Sequence, residues 1–310
     1  MKIKVLISGV AGFIGSNVAK SLCKNSKYSI LGIDNLSSGK IKNIPKNKNL
    51  IFLKLDISKD NCLDNLNFSP DYILHFAGQS SGEKSYYDPI LDLKNNTIST
   101  LNLIKYGIKK KTKKIIYASS MSIYGNPKKI KCSEKNLHDP ISCYGISKSA
   151  SENYLKIYSN KLPYTILRFF NIYGIGQDLN NYQQGMLSIY IAQAVFKKKI
   201  IVKGSENRIR DFVNIDYVKM HIEKIIKLRK FDNQILNFGT GKKISVKKVL
   251  NIISKETNVK KIIIKKKGTP FDQYQVVADI KKLKKFKIAI KDNLKENIIK
   301  FIKFAKNVRD

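Results

Sequence analysis

The sequence predicts an α/β protein with a doubly wound parallel sheet of the Rossmann type and a smaller C-terminal α/β part that binds substrate. Two observations predict this fold. Short apolar, β-branched runs alternate with helix-length segments over the first half of the chain, and a glycine-rich turn follows the first run. This alternation indicates parallel strands joined by crossover helices, because parallel neighbours cannot be connected by a tight hairpin.

Six strands of the main sheet are predicted from the apolar runs, in the order IKVLIS, YSILGID, LIFLKLD, DYILHFA, KKIIYASS and YTILRF. A helix is predicted over roughly residues 141–159, before the sixth strand. Beyond Asn171 the chain becomes rich in Gly, Asn and Gln, and the later runs IIVKG, ILNFG and KKIIIKK are short. We assign residues 1–170 to a cofactor-binding domain and residues 171–310 mainly to substrate binding. The two parts are expected to interleave, because no Pro-, Ser- or Gly-rich linker divides them.

The net charge of +36 is spread along the whole chain. Lysine-rich surfaces bind phosphate chains through counterion release, so a nucleic-acid partner has to be considered. However, arginine, which is suited to bidentate contacts with phosphate and guanine, supplies only five of the 59 basic residues. The shared abundance of Lys, Asn and Ile favours a compositional bias over a specific nucleic-acid site, although such a surface also attracts doubly charged small ligands.

The four cysteines include no C-x-x-C pair, so we expect free thiols at Cys23, Cys62, Cys132 and Cys143 and no metal site. No stretch approaches the ~18 apolar residues that a membrane-spanning helix needs. The sequence also begins in a strand pattern rather than a signal-peptide pattern. A cytoplasmic protein without a membrane partner is therefore expected.

A glycine-rich turn follows the first strand, with Gly9, Gly12 and Gly15 at the start of a helical segment. Glycines at this spacing allow a tight turn and a close approach of the backbone to a pyrophosphate, which the N–H groups of a helix N-terminus then bind. An ordinary strand-to-helix turn is the alternative. The position of the turn favours a dinucleotide site.

The second strand ends at Asp34, nineteen residues after Gly15. A carboxylate there accepts hydrogen bonds from a ribose diol and repels a ribose phosphate, which favours NAD over NADP. Asp34 could instead cap the following turn. Asp56, at the end of the third strand, is a candidate for the adenine edge or for the N-cap of a helix beginning near Ser58.

Tyr144 and Lys148 lie one turn apart on the predicted helix, so the ammonium is expected to lower the pKa of the phenol and make it a general base. The spacing alone is weak evidence, because Tyr106/Lys110 and Tyr124/Lys128 share it. The position, on a helix shortly after the fifth strand, selects Tyr144/Lys148. The end of that strand, Ser119–Ser120, adds hydroxyls at the sheet edge where ligands bind in α/β folds.

At this point the chain resembles the extended short-chain dehydrogenases, specifically the nucleotide-sugar epimerase/dehydratase family, and within it most closely the UDP-glucose 4-epimerases. The resemblance extends over nearly the whole length. The matching stretches are GVAGFIG, DNLSSGK, HFAGQ, NTIST, SSMSIYG, YGISK, LRFFNIYG, RIRDFVNIDYV and NFGTG.

The resemblance implies roles for individual residues. Tyr144 would be the base, Lys148 would hold the nicotinamide ribose, and Ser120 would hydrogen-bond the reacting sugar hydroxyl. The remaining cofactor contacts implied for NAD are Gly9, Gly12, Phe13, Ile14, Gly15, Asp34, Asn35, Asp56, Ile57, Phe76, Ala77, Gly78, Asn96, Ser119 and Phe170. The sugar nucleotide would contact Asn171, Arg210, Asp272 and Val276, with Arg210 at the diphosphate. A structural ion pair of Arg210 with Asp211 or Asp216 is the alternative.

Members of the family that eliminate water carry an Asp-Glu pair where this chain has Met121-Ser122. Without that acid/base pair, hydride removal and return at the sugar C4 is the reaction that the resemblance implies, through a 4-keto sugar on tightly held NAD. A small side chain at Val276 implies that N-acetylhexosamines enter the site as well as hexoses.

Two departures bear on the nucleotide. Gln79 and the residues after it lack a lysine that some galactose epimerases carry, and an arginine that often precedes Asp272 is absent. UDP-sugars are favoured, with a CDP- or GDP-sugar epimerase or dehydratase as the alternative. A non-catalytic Rossmann scaffold or an RNA binder is the alternative of another class.

The family resemblance also implies a homodimer formed through helices near residues 91–106 and 147–158.

Overall fold

A computed structural model describes residues 2–183, 185–269, 271–291 and 293–309. In chain order the strands are β1 (Ile3–Ser8), β2 (Tyr28–Asp34), β3 (Leu50–Lys54), β4 (Tyr72–His75), β5 (Lys114–Ser120), β6 (Lys131–Cys132), β7 (Tyr164–Phe169), β8 (Ile172–Tyr173), β9 (Ile200–Lys203), β10 (Ile209–Arg210), β11 (Val213–Asn214), β12 (Gln234–Phe238), β13 (Ile244–Ser245), β14 (Ile262–Lys265) and β15 (Val277–Ala278). The α-helices are α1 (Phe13–Leu22), α2 (Gly82–Tyr87), α3 (Pro89–Leu93), α4 (Ser99–Lys109), α5 (Cys143–Ile157), α6 (Met186–Lys197), α7 (Ile215–Lys227), α8 (Val246–Thr257), α9 (Lys281–Lys285) and α10 (Leu294–Arg309).

Seven strands form one parallel sheet in the order β12-β7-β5-β4-β1-β2-β3. The order reverses between β1 and β4. Apolar residues make up most of the inner strands β1, β4 and β5, as expected for parallel strands that are covered on both faces. The predicted fold class is confirmed, and each of the six predicted strands is present. The short run ILNFG supplies the outermost strand β12, which pairs with β7 from Gln234↔Thr165 to Phe238↔Phe169.

Helices cover both faces of the sheet. One face packs against α1 and α7, with Val18, Leu22, Val218 and Ile222 buried in that core. The opposite face packs against α4 and α5. A parallel sheet covered on both sides presents its ligands at the carboxyl ends of its strands, where β1, β4 and β5 end close together.

A second core lies outside the main sheet, in the C-terminal part. It is formed by α6, α8 and α10 around the parallel pair β9–β14. No helix within the described ranges is long and apolar enough to cross a membrane.

Helix α5 matches the helix predicted over residues 141–159. It begins after Ser142, whose Oγ accepts a hydrogen bond from the Gly145 N–H at 3.1 Å and so caps the first turn. The proposed helix near Ser58 is absent from the described part of the chain, since residues 57–65 form turns. Asp56 does cap that segment: its Oδ1 accepts from the Ser58 N–H at 2.9 Å and from the Ser58 hydroxyl at 2.7 Å.

Candidate functional site

The glycine-rich turn brings three chain segments into direct contact. Gly9 has a φ of +75°, and a Cβ there would lie 2.5 Å from the Ala77 backbone nitrogen. A Cβ on Gly15 would overlap the Gly9 carbonyl oxygen. Gly12 is the N-cap of α1 and provides no side-chain cap. The backbone of the turn and the first turn of α1 can therefore receive a ligand phosphate group.

Asp34 holds this turn at the end of β2. Its Oδ2 accepts a hydrogen bond from the Ala11 N–H at 3.0 Å, and its Oδ1 accepts one from the Leu36 N–H at 2.8 Å. The structural role that the sequence left open for Asp34 is thus present in the fold. Asp34 also lies on the wall of a cleft. Each carboxylate oxygen can accept more than one hydrogen bond, so Asp34 can cap the turn and contact a ribose at the same time.

This cleft encloses about 850 Å³ beside the turn. Of the predicted cofactor residues, it is lined by Gly9, Gly12, Asp34, Asn35, Asp56, Ile57, Phe76, Ala77 and Gly78. Its other described lining residues, which the sequence analysis did not single out as site residues, include Ser37, Ser38, Gly39, Lys59, Asp60, Lys84, Leu91, Lys94, Asn95, Ile98, Ser99 and Asn181. Ser37 to Gly39 stand in the DNLSSGK stretch, and Ile98 and Ser99 stand in NTIST, so these stretches could have pointed to them. The other residues just named belong to none of the matching stretches.

Tyr144 and Lys148 lie in α5, and the Lys148 ammonium lies next to Gly78, which lines the cleft. The Lys148 Nζ donates a hydrogen bond to the Ala118 carbonyl at 3.0 Å and lies 5.9 Å from the centre of the Tyr144 ring. A Cβ on Gly78 would lie 3.3 Å from the Lys148 Nζ. Since Gly78 lines the cleft and follows the two residues that contact Gly9, the lysine and the glycine-rich turn belong to one site.

The protonation of this pair differs from the sequence-based expectation. Burial raises the pKa of Tyr144 to about 12, although a hydrogen bond with Ser120 acts in the opposite direction. Burial also lowers the pKa of Lys148 to about 8. The predicted lowering of the Tyr144 pKa is therefore wrong for the protein alone, because loss of hydration outweighs an ammonium that points to the Ala118 carbonyl.

Asn96 lies in a π-helical turn, Lys94–Ile98, between α3 and α4. Its Nδ2 donates to Asp92 Oδ1 at 3.0 Å and to Ser147 Oγ at 3.1 Å. Among the described residues, the Asn96 Oδ1 is buried without a hydrogen-bond partner, and a Cβ on Gly78 would collide with it. An unpaired buried acceptor is costly in a folded protein, which indicates that a ligand donor binds here.

The residues around this cleft fit a dinucleotide. The glycine-rich turn accommodates a pyrophosphate, and Asp34 can accept hydrogen bonds from a ribose diol at one end. Lys148 and the Asn96 carbonyl can bind the second ribose at the other end. No cluster of metal-ligating side chains occurs among the residues that the structure describes, and all four cysteines are free.

The two serines that end β5 point to different environments. The Ser120 Oγ donates to the Ser122 Oγ at 3.0 Å, and it is a neighbour of the Tyr144 phenol. The Ser119 hydroxyl instead donates to Glu152, a fully buried carboxylate that pairs with Arg168 at 2.7 Å. Successive side chains of a strand face opposite sides, so the Ser119 hydroxyl is directed to Glu152 of α5 and away from the Ser120 side chain.

Arg210 does not form the ion pair that the sequence offered as an alternative. Its Nη2 lies 2.7 Å from Asp272 Oδ1, not beside Asp211 or Asp216, and its Nη1 donates to the Tyr274 carbonyl at 3.1 Å. Asp211 is occupied elsewhere, since it accepts hydrogen bonds from residues 240, 241 and 278. Two residues far apart in sequence are thus brought together, and sequence spacing could not predict that pair.

Asp272 also pairs with Arg208, which the sequence analysis did not single out. The two guanidiniums carry one more positive charge than the carboxylate neutralises. Both arginines are almost fully buried, with side chains 7% and 2% exposed. The signal in the sequence was the scarcity of arginine itself, because two of its five occurrences fall within RIR.

The remaining predicted substrate residues lie nearby. The Asn171 Nδ2 donates to the Asp211 carbonyl at 3.0 Å. Val276 and Phe170 are fully buried in one small apolar cluster with Ile123 and Tyr124. Met121, where eliminating relatives carry a carboxylate, packs against this cluster.

Comparison with known proteins agrees with this geometry. A model of the NAD dependent epimerase/dehydratase family matches residues 5–239. A curated relative from Methanocaldococcus jannaschii, named "Putative UDP-glucose 4-epimerase", is 32% identical over 308 residues, which are 98% of this chain and 98% of the relative.

Two solved structures share the fold along almost the entire chain. The UDP-glucose 4-epimerase of Thermotoga maritima, solved with UDP-glucose, superposes with a TM-score of 0.93 at 29% identity and covers 99% of this chain and 100% of its own. The UDP-N-acetylglucosamine 4-epimerase of Methanobrevibacter ruminantium, in complex with UDP-N-acetylmuramic acid, gives a TM-score of 0.90 at 27% identity and covers 98% of each chain.

Proposed function

Because the chain belongs to the NAD dependent epimerase/dehydratase family, we propose that it is a UDP-hexose 4-epimerase that interconverts UDP-glucose and UDP-galactose. NAD is its cofactor. The substrate is inferred from the relatives, several of which are named UDP-glucose 4-epimerases, together with the residues of the site.

One observation carries the proposal. The Lys148 ammonium lies next to Gly78 and 5.9 Å from the centre of the Tyr144 ring. The residues just before Gly78 contact the glycine-rich turn at Gly9. A base, a cation and a dinucleotide cleft therefore form one continuous site. A site that only bound a dinucleotide would not require a buried phenol next to a buried ammonium.

The residues of the site divide the work of the proposed reaction. Tyr144 accepts the proton of the sugar O4, directly or through the neighbouring Ser120 hydroxyl, and later returns it. Lys148 and Asn96 hold the ribose on the reacting side. Bound NAD would supply the hydride acceptor and donor for the sugar C4, and its positive charge would favour the Tyr144 phenolate. Met121 cannot act as an acid or base, so elimination is disfavoured.

We extend the proposal to N-acetylhexosamines. Val276 is a small residue in the cluster with Phe170, and one neighbour of similar fold is named a UDP-N-acetylglucosamine 4-epimerase. Arg210 is assigned to the diphosphate, and Asp272 is assigned to holding this arginine in place. Residues 1–170 would bind the cofactor and residues 171–310 mainly the substrate.

We also propose that the enzyme is a homodimer. Apolar side chains on α3 and α5 are exposed at Ile90, Leu93, Ile146 and Ile157. The two helices pack against each other, so these side chains belong to one surface that a second copy can cover.

The free cysteines fit a reducing compartment, and we place the enzyme in the cytoplasm.

The test is conversion of UDP-galactose to UDP-glucose by purified enzyme without added NAD. Turnover is expected because the proposed cycle returns the cofactor to its starting state. Product analysis by NMR should cover UDP-GlcNAc and the CDP- and GDP-hexoses in the same assay. Turnover of a CDP- or GDP-hexose alone would overturn the assignment of the nucleotide, and no turnover of any of them would contradict an epimerase.

Tyr144→Phe is the control for the assigned base. The substitution removes the hydroxyl and keeps the ring, so the rate should fall by about 10²- to 10⁴-fold, as expected for loss of general-base catalysis. Folding, measured by circular dichroism, and the amount of NAD released on heat denaturation should stay at the wild-type level. A nearly unchanged rate would remove Tyr144 from the mechanism.

A further inference from the structure

A buried carboxylate lies behind the catalytic pair, and no sequence motif pointed to it. Asp92, on α3, is 1% exposed. Its Oδ1 accepts hydrogen bonds from the Gln79 Nε2 at 2.8 Å and the Asn96 Nδ2 at 3.0 Å. Its Oδ2 accepts one from the Ser147 Oγ at 2.7 Å. Ser147 stands immediately before Lys148, so Asp92 links the two residues that face the second ribose.

We propose that Asp92 is a positioning residue of the proposed epimerase: it fixes the Asn96 amide with its carbonyl toward the cofactor and serves as the buried counter-charge that keeps Lys148 protonated. The first part follows from hydrogen-bond chemistry. An ionised carboxylate only accepts hydrogen bonds, so the amide nitrogen of Asn96 must face Asp92 and its oxygen must face away. That oxygen is the unpaired acceptor beside Gly78.

The second part follows from the charges around Lys148. Of the carboxylates that raise the pKa of Lys148, Asp92 contributes the most, ahead of Glu152. Glu152 is neutralised by Arg168, whose Nε and Nη2 donate to it at 3.0 and 2.7 Å. Among the described residues, the side chains that hydrogen-bond Asp92 are two amides and a hydroxyl, and none is a cation. Burial raises the pKa of Asp92, whereas these hydrogen bonds and the charge of Lys148 act in the opposite direction and favour the carboxylate.

The other elements around Lys148 provide no competing anion among the described residues. On β4, burial lowers the pKa of His75 to about 3, so the imidazole is neutral. On β5, the Tyr117 ring lies 4.8 Å from the Lys148 Nζ and contributes only its π face.

Helix α2 carries one carboxylate, which is already paired: Glu83 lies 3.5 Å from Lys203. Lys84 on α2 and Lys94 after α3 are exposed cations. Tyr144 is a protonated phenol until it acts as the base.

The deciding variant is Asp92→Asn, which removes the charge and keeps the shape. Asp88→Asn is a matched control, because Asp88 is an exposed carboxylate on the same helix and an asparagine also caps a helix N-terminus. Both variants, and the wild type, are measured as the NAD-loaded enzyme with [¹³Cε]lysine. The Lys148 resonance is identified as the one missing from Lys148→Arg.

The Lys148 titration midpoint should fall by about one to three pH units in Asp92→Asn, the effect of losing an opposite charge nearby. It should stay at the wild-type value in Asp88→Asn. Lys148 must be protonated for activity in the proposed mechanism. The alkaline limb of the pH–activity profile should therefore lie at a lower pH in Asp92→Asn than in the wild type. NAD should be released about tenfold faster from Asp92→Asn, as for one lost hydrogen bond, because the Asn96 amide can then turn over.

An unchanged Lys148 midpoint in Asp92→Asn, or an equal shift in Asp88→Asn, would overturn the assigned counter-charge. If Asp92→Asn does not fold, the protonation state of Asp92 is measured in the wild-type enzyme labelled with [¹³Cγ]aspartate. The Asp92 resonance is identified as the one missing from Asp92→Glu. Its chemical shift should be that of an ionised carboxylate between pH 6 and 9. A protonated Asp92 in this range would overturn the inference. The Lys148 midpoint, the Asp92 resonance and the rate of NAD release are all measured without the sugar nucleotide. A failure to epimerise UDP-sugars would therefore refute the proposed function, while these measurements would still test the role of Asp92.

Discussion

At the scale of single residues, the site joins two demands that conflict. As the proposed base, Tyr144 has to lie in a buried position beside the sugar, yet burial raises its pKa to about 12 and opposes the phenolate that a base requires. Lys148, with its pKa lowered to about 8, does not resolve this conflict in the protein alone. The positive charges that favour the phenolate are completed only when the cofactor binds, so we expect the base to be active only in the loaded enzyme.

His75 is a second residue whose burial has a measurable consequence. Its Nε2 lies 3.0 Å from the Thr100 Oγ1, and that hydroxyl itself donates to the main-chain carbonyl of Asn96. The imidazole therefore carries its proton on Nε2, while Nδ1 accepts from the Ser8 hydroxyl at 2.7 Å. Neutral His75 thus connects β1, β4 and the turn that holds Asn96.

We predict that His75 makes the fold sensitive to acid. The pKa of His75 is about 3 in the folded protein and about 6.5 in an unfolded chain, so between these values only the unfolded state takes up the proton. Stability from this group is present above pH 6.5 and should fall by about 1.4 kcal/mol per unit as the pH drops through this window. His75→Gln, which cannot be protonated, should show a shallower loss in urea unfolding at pH 7, 6 and 5. Equal slopes in the two proteins would contradict this explanation.

At the scale of elements, the turn between β1 and α1 requires glycine for two separate reasons. Gly15 lets the helix pack against the turn, because any Cβ there would overlap the Gly9 carbonyl. Gly12 lines the cleft with a φ of −78°, which any residue can adopt, so its missing side chain serves the ligand rather than the backbone.

This difference predicts opposite outcomes for two alanine variants. Gly15→Ala should lower the free energy of unfolding by about 1 to 3 kcal/mol, the usual cost of overpacking. Gly12→Ala places its Cβ 3.2 Å from the Gly9 oxygen and should leave the thermal midpoint nearly unchanged. It should nevertheless weaken NAD binding about tenfold or more, since the methyl group occupies the place where the backbone approaches the ligand. Thermal unfolding and NAD titration check the pair, and equal stability of the two variants would contradict the assignment.

At the scale of the whole molecule, charge and apolar surface act on assembly in opposite directions. A net charge of +36 on each copy opposes self-association, whereas the exposed apolar residues of α3 and α5 favour it. The same charge draws a doubly charged sugar nucleotide toward the protein without specifying where it binds.

We predict that Ile146→Lys converts the proposed dimer to a monomer. Because a twofold axis repeats every residue, the substitution places two like charges in an apolar interface, which opposes association. The single chain should tolerate the change, since Ile146 is 55% exposed in it. Met220→Lys is the control, because Met220 on α7 is 64% exposed and lies outside that surface. Sedimentation equilibrium should give the mass of one chain for Ile146→Lys and of two for the control. A dimer in both variants would show that α3 and α5 are not the interface.

Much of the fold and part of the site could be predicted from local sequence. The positions of six strands and of helix α5 along the chain follow from apolar periodicity, and the glycine-rich turn follows from its place after β1. The partner of Arg210 could not be predicted, because Asp272 is 62 residues away in sequence. The separate directions of Ser119 and Ser120 also depend on the sheet, since both are serines at one strand end. Asp92 carried no local signal, because its role arises where α3 packs on α5.

The sequence by itself therefore determined the family and the sheet, and it predicted Tyr144 and Lys148 as the candidate base and its lysine. These depend on residue types at short spacings, which local backbone geometry converts directly into position. Only the tertiary structure decided how the groups are protonated, which carboxylate accompanies which cation, and that the unpaired side-chain oxygen of Asn96 lies beside Gly78. Burial and long-range contacts set those properties, and they exist only once distant segments have packed together.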